Sequence, residues 1–195
     1  TSVTLPKSLV SLGGISASAE INVSPENSNY ASYDGCLYNK DKTEILKCPS
    51  GKTEVTFPEG LQRIGAYAFS GCKDLTGVTL PEGLVSIGES AFSDCGRGQD
   101  SITIPSSVTD IAAGAFNDFF LSEIIVAPEN SEYVSVDGCL YNKGKTKLLA
   151  CPSNNRGSED MKSFPEELTE IGAYAFSGCT VGSVTLPDGV TAIGD

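Results

Sequence analysis

One stretch of this chain is written several times over. Val55-Thr56-Phe57-Pro58 running to Cys72 matches Val78-Thr79-Leu80-Pro81 running to Cys95. The pattern returns from Ile102-Thr103-Ile104-Pro105 to Phe119 and from Phe164-Pro165 to Cys179, with weaker copies beginning at Val3, Ile21, Ile125 and Val184. Prolines at 58, 81, 105 and 128 are spaced by 23, 24 and 23 residues. This repetition constrains the fold more than composition does. A unit of that length cannot bury its own apolar face and must stack on its neighbours, so that like residues form ladders and the ladders form one core.

Within a unit the apolar positions first alternate with period two and then take helix-like spacing, which predicts a strand, a turn, a short strand and a helical or 3-10 turn. Pro58, Pro81, Pro105, Pro165 and Pro187 end the first strand because proline cannot donate a ladder hydrogen bond, and the Glu-Gly or Asp-Gly that follows suits a turn. Three ladders are expected: Val55, Val78, Ile102 and Val184; Ile64, Ile87, Ile111 and Ile171; Phe69, Phe92, Phe116 and Phe176. A period of 23 to 24 residues lies in the leucine-rich-repeat range, so the expected fold is a leucine-rich-repeat solenoid, mainly β.

Two segments break the rhythm. Pro25-Glu26-Asn27-Ser28 through Asp34-Gly35-Cys36-Leu37-Tyr38-Asn39-Lys40 to Cys48-Pro49 matches Pro128 to Pro152 at an offset of 103. Each holds two β-prone runs around a polar stretch, which predicts β-hairpins inserted at residues 30–50 and 133–153. The larger modules would span 21–127 and 128–195 of one solenoid covering 1–195. The first coil, around Leu12-Gly13-Gly14-Ile15, is irregular. Because the pattern stops partway at Gly194-Asp195, the chain is expected to be a fragment of a longer protein.

Leu80 to Cys95, reading L-P-x-G-L-x-x-I-G-x-x-A-F-x-x-C, resembles the BspA-like, Treponema pallidum-type leucine-rich repeat of bacterial cell-surface proteins. Asp34 to Lys40 and Asp137 to Lys143 are similar to the D-G-x-L-Y-x-K segments that accompany it. The resemblance implies a right-handed superhelix in a secreted or cell-surface bacterial protein. It also implies adhesion to a protein or glycan of a host or neighbouring cell. The chain departs from the pattern at Phe119 and Phe120, where the terminal cysteine would stand and the stack would bend or swell. It departs again in the polar loop Asn154 to Met161.

Several chemistries are excluded or unsupported. There is no histidine, which removes Ser-His-Asp and Cys-His arrangements and histidine metal sites. A net charge of −12, from 13 basic and 25 acidic residues, repels nucleic acid and anionic membranes. No apolar run reaches the length of a membrane helix. Carboxylates such as Glu59, Glu82, Asp94, Asp110 and Glu123 are scattered as solvated charge, and Gly96-Arg97-Gly98 is not a phosphate loop. No enzyme activity, cofactor or metal is expected.

Cys72, Cys95 and Cys179 share one repeat position and are expected to be structural thiols. Cys36 with Cys48, and Cys139 with Cys151, stay open between thiols and disulfides. Binding candidates are the outward threonine row, with Thr56, Thr79 and Thr103 between Thr4 and Thr185, and the hairpin tyrosines Tyr38 and Tyr141, with Tyr30, Tyr33 and Tyr133 nearby. The structural alternatives are that threonine simply suits an exposed strand and that some of the tyrosines cover the hairpin's own core. The expected function is a binding or adhesion module, and the alternative is a structural spacer.

Overall fold

The computed structural model describes residues 2–13, 18–152, 163–179 and 183–194. Its strands are β1 (Ser2–Leu5), β2 (Glu20–Val23), β3 (Tyr30–Tyr33), β4 (Cys36–Asn39), β5 (Glu44–Lys47), β6 (Arg63–Ile64), β7 (Ser86–Ile87) and β8 (Ser101–Ile104). They continue with β9 (Asp110–Ile111), β10 (Glu123–Val126), β11 (Tyr133–Val136), β12 (Cys139–Asn142), β13 (Lys147–Ala150), β14 (Glu170–Ile171) and β15 (Ala192–Ile193). One long sheet runs β3-β4-β5-β6-β7-β9 and a second runs β11-β12-β13-β14-β15, while β1 with β2 and β8 with β10 form short parallel pairs. The chain is a β-solenoid, as the repeat predicts.

The isoleucine ladder is the parallel register itself. Ile45 pairs with Ile64, Ile64 with Ile87 and Ile87 with Ile111; Ile171 lies in the second sheet, between Leu148 and Ile193. The glycines after Ile64, Ile87, Ile171 and Ile193 are required by close coil approach, whereas Ile111 is followed by Ala112. A Cβ added at Gly88 would lie 2.6 Å from the Ala66 amide nitrogen, a backbone atom that cannot swing away. The phenylalanine ladder is a stack of rings, Phe69 on Phe92 at 4.9 Å and Phe92 on Phe116 at 5.7 Å, with their planes nearly parallel. Phe176 belongs to a separate core, edge-on to Phe164 at 5.9 Å. Phe119 joins the stack of rings. It lies buried 5.3 Å from Phe92, in space left by Gly96, where a Cβ would fall 2.3 Å from the Phe119 ring. The Asn154–Met161 loop lies outside the described residues.

The expected helical turns are corrected. Among the described residues there is no helix, and the Ala-Phe segment is a chain of β-turns. Its amides alternate in direction. Those of Ala68, Ser70 and Cys72 close turns on Gly65, Tyr67 and Phe69, whereas those of Tyr67, Phe69 and Gly71 donate to Glu89, Ala91 and Ser93 of the next coil at 2.8–3.0 Å. Left-handed residues at Tyr67 (φ 57°) and Gly71 (φ 81°), and at Ser90 and Asp94 one coil on, turn every second amide outward and prevent a helix.

The hairpin segments each hold three strands where two were expected. β3, β4 and β5 form an antiparallel meander, as do β11, β12 and β13, and the last strand of each continues in parallel into the solenoid sheet. At these junctions two equivalent ion pairs have opposite polarity: Glu44 faces Arg63 at 3.2 Å, and Lys147 faces Glu170 at 2.6 Å.

The meanders divide the interior. Leu37 packs with Leu5 and Ile21, while Cys36 and Tyr38 on its other side join the main core. Leu140 joins that main core, whereas Cys139 and Tyr141 pack with Leu148 and Ile171 in a further core. Each middle strand is therefore covered on both faces.

Candidate binding surface

That partition determines where the hairpin tyrosines lie. Tyr38 is 0% exposed and Tyr141 1% exposed, so neither is a contact anchor. This corrects the sequence expectation, and its cause is the covering of β4 and β12 on both faces. Burial, reinforced by neighbouring thiols, pushes both phenols far above the ordinary tyrosine value. Tyr133 is also buried and donates its hydroxyl to the Thr109 carbonyl, besides accepting from the Ile111 amide at 2.9 Å. Tyr30 is half-buried and Tyr33 exposed.

The threonine row faces outward. Thr4, Thr56, Thr79, Thr103 and Thr185 are all exposed, and Thr103 is followed in register by exposed Ile125. The structure brings two of the candidates to one place. Thr79 and Thr103, with Leu80, Glu82 and Ser101, line a depression of about 550 Å³. It exists because the strands do not pair there. The buried Gln99 side chain stands between them, accepting from the Val78 amide at 3.0 Å and donating to the Val78 and Ser101 carbonyls at 3.2 and 2.8 Å. Sequence reasoning missed Gln99, and its signal was the 24-residue step from Pro81 to Pro105. Thr56 lies apart from this depression, its amide donating to the Asp34 carboxylate at 2.9 Å.

A second feature recurs. A cleft of about 560 Å³ beside the first meander is lined by Tyr30, Leu37, Leu46, Lys47, Ala66 and Tyr67. A cleft of about 470 Å³ beside the second is lined among others by Tyr133, Leu149, Lys147, Glu170 and Ala173, with Ile111 to Ala113 on the opposite wall. The second cleft forms where a meander wedges between two coils that touch elsewhere: Ser177 donates to Asp118 at 3.1 Å, and the Tyr174 ring lies against Gly114. Tyr67 and Tyr174 occupy equivalent positions in the coil after each meander and are 50% and 54% exposed. The repeated Ala-Tyr-Ala-Phe was visible in sequence; its left-handed tyrosine, which turns the ring outward, was not.

Chemically, the surface offers aromatic, aliphatic and hydroxyl contacts with scattered ion pairs. Among the described residues no group of three or more Cys, Asp or Glu is placed to hold a metal ion, and no helix is long and apolar enough to cross a membrane. Six copies of the BspA type leucine rich repeat region match residues 42–161 and 154–195. The chain belongs to the BspA-type leucine-rich-repeat family. Among solved structures, this BspA-type chain is similar to the pneumococcal vaccine antigen PcpA (24% identity, TM-score 0.68), over 99% of this chain and 46% of that one. It is also similar to a leucine-rich repeat protein from Eubacterium ventriosum (24% identity, TM-score 0.54), over 86% of this chain and 60% of that one. The chain thus spans less than two thirds of either, and the likeness is one of fold. A search of curated proteins finds no match.

Proposed function

We propose that this BspA-type segment is a non-catalytic binding module, displayed outside a bacterial cell, that takes a protein or glycan ligand at the clefts beside its two meanders. The observation that carries the proposal is recurrence: a cleft beside each meander, with Tyr30, Leu46 and Ala66 in the first matched by Tyr133, Leu149 and Ala173 in the second. A half-exposed tyrosine stands in the coil that follows each meander, Tyr67 lining the first cleft and Tyr174 standing outside the lining of the second. Aromatic side chains beside a cleft are common energetic centres of an interface; the first cleft is mainly apolar, and the second adds Glu132, Asn142, Lys147 and Glu170. The Thr79–Thr103 depression is a separate, more polar surface, and extracellular display accords with the naming of PcpA as a vaccine antigen.

The test is binding of the folded chain to immobilised extracellular-matrix proteins, mucins and glycans. A Tyr67→Asn, Tyr174→Asn variant keeps residues that tolerate a left-handed backbone and removes both rings. Saturable binding weakened about tenfold or more by this variant, and unchanged by Thr79→Ala, Thr103→Ala, is expected, since each tenfold corresponds to one modest contact. The reverse pattern would move the site to the threonine depression. A folded chain that binds nothing on the panel would favour the spacer.

A further inference from the structure

Each meander carries two cysteines on facing strands. Cys36 opens β4, and Cys48 directly follows β5; Cys139 opens β12, and Cys151 directly follows β13. Leu37 pairs with Lys47 and Leu140 with Ala150 in antiparallel register. One further step of that register sets Cys36 opposite Cys48 and Cys139 opposite Cys151. Directly opposed residues of an antiparallel pair have the Cα separation that a disulfide spans. The Cys139 and Cys151 sulfurs are 2.8 Å apart, and Cys36 and Cys48 lie buried in one core cluster. All four side chains are buried.

We infer that the chain forms two cross-strand disulfides, Cys36–Cys48 and Cys139–Cys151, when it folds in an oxidising compartment. The oxidant is an organic disulfide. One cysteine thiolate attacks it, forming a mixed disulfide and releasing one thiol. The facing thiolate then attacks the protein sulfur, closing the bridge and expelling the second thiol. Two protein thiols lose two electrons and two protons, and the oxidant becomes two thiols. Because the folded core covers these sulfurs, the exchange takes place before the neighbouring coil closes over them. The Cys48 amide also donates to Ala68 of the next coil at 2.7 Å, so the first bridge fastens its meander to the solenoid. Cys72 and Cys95 stand one per coil, and Cys72 points its thiol at the Pro49 carbonyl at 3.5 Å.

The test is to fold the 195-residue chain with a mixture of oxidised and reduced glutathione. Thiols are then alkylated in denaturant, and a non-reduced digest is mapped by mass spectrometry. Expected are joined peptides containing Cys36 with Cys48 and Cys139 with Cys151, four fewer alkylated cysteines than after reduction, and a lower unfolding midpoint in reductant. A Cys36→Ser, Cys48→Ser variant should fold, lose only the first linkage and retain the second. Complete alkylation of the oxidised, folded chain would overturn the inference, as would a Cys48–Cys72 linkage, the nearest competing pair. The readout needs no ligand, so it is independent of the proposed binding site.

Discussion

Asn27 and Asn130 occupy the same place in the two modules and make the same four hydrogen bonds. The Asn130 amide nitrogen donates to the Pro105 and Val108 carbonyls at 2.8 and 2.9 Å, and its oxygen accepts from the Glu132 and Tyr133 amides at 2.9 and 2.8 Å. Asn27 does so with Pro6, Leu9, Asn29 and Tyr30. One side chain thus ties the start of a meander to the turn of the preceding coil. Asn130→Ala would remove all four bonds, leaving the Pro105 carbonyl only its bond from the Val108 amide, and is expected to cost roughly 2–4 kcal/mol in chemical denaturation, since each buried unsatisfied group is expensive. A cost within error of zero would mean that these groups find other partners. The Tyr38 hydroxyl is buried without a hydrogen-bond partner, so Tyr38→Phe is expected to raise stability by about 1 kcal/mol. The sequence carried a signal for this burial: Cys36-Leu37-Tyr38 is an unbroken apolar run, the mark of a strand covered on both faces, and treating its tyrosine as an outward anchor ignored that. The asparagines could be placed by the repeated Pro-Glu-Asn-Ser, but not their partners, which lie 18 to 25 residues back in the chain.

At the level of the element, the ladders were legible because a period of 23 to 24 residues fixes which side chains can superpose. Phe92 has Phe69 on one side and Phe116 and Phe119 on the other. Its truncation in Phe92→Ala is expected to lower the unfolding free energy by about 3 to 5 kcal/mol, read from the denaturant midpoint. A change below 1 kcal/mol would mean that the neighbouring rings close the gap, contrary to the packing argument. The turn after each isoleucine was not legible. Helix-like spacing of Ile64, Ala68 and Cys72 arises equally from a row of turns. What separates the two is backbone sign at Tyr67, Ser90 and Asp94, none of them glycine. The glycines at 71 and 114 were the available clue. The third meander strand was missed because Tyr30–Tyr33 is short and mostly half-buried, without an alternating pattern.

For the molecule as a whole, the meanders separate cores that would otherwise be continuous, so damage should stay local. In Phe92→Ala, the Gly88 and Ala112 amides, which bond to Ile64 and Ile87, belong to the injured stack; those of Gly172 and Gly194, bonded to Leu148 and Ile171, belong to the next. Hydrogen exchange of the first pair should accelerate by about a hundredfold to a few thousandfold while the second pair changes little. Equal acceleration of both would show that the chain opens as one unit. The clefts beside the meanders were beyond sequence reasoning because they arise between segments far apart in the chain, such as Ile111 and Gly172.

The two modules are alike enough to be mistaken for one another while the chain folds, and a strand seated on the wrong coil is a recurrent failure of repetitive proteins. The junction ion pairs oppose this error. If β13 were seated against β6, Lys147 would meet Arg63, and if β5 were seated against β14, Glu44 would meet Glu170. Either exchange sets like charges directly opposite each other, which is unfavourable across a sheet. The reversed polarity works as an address on each module, contributing little to the finished fold but discouraging the counterfeit one.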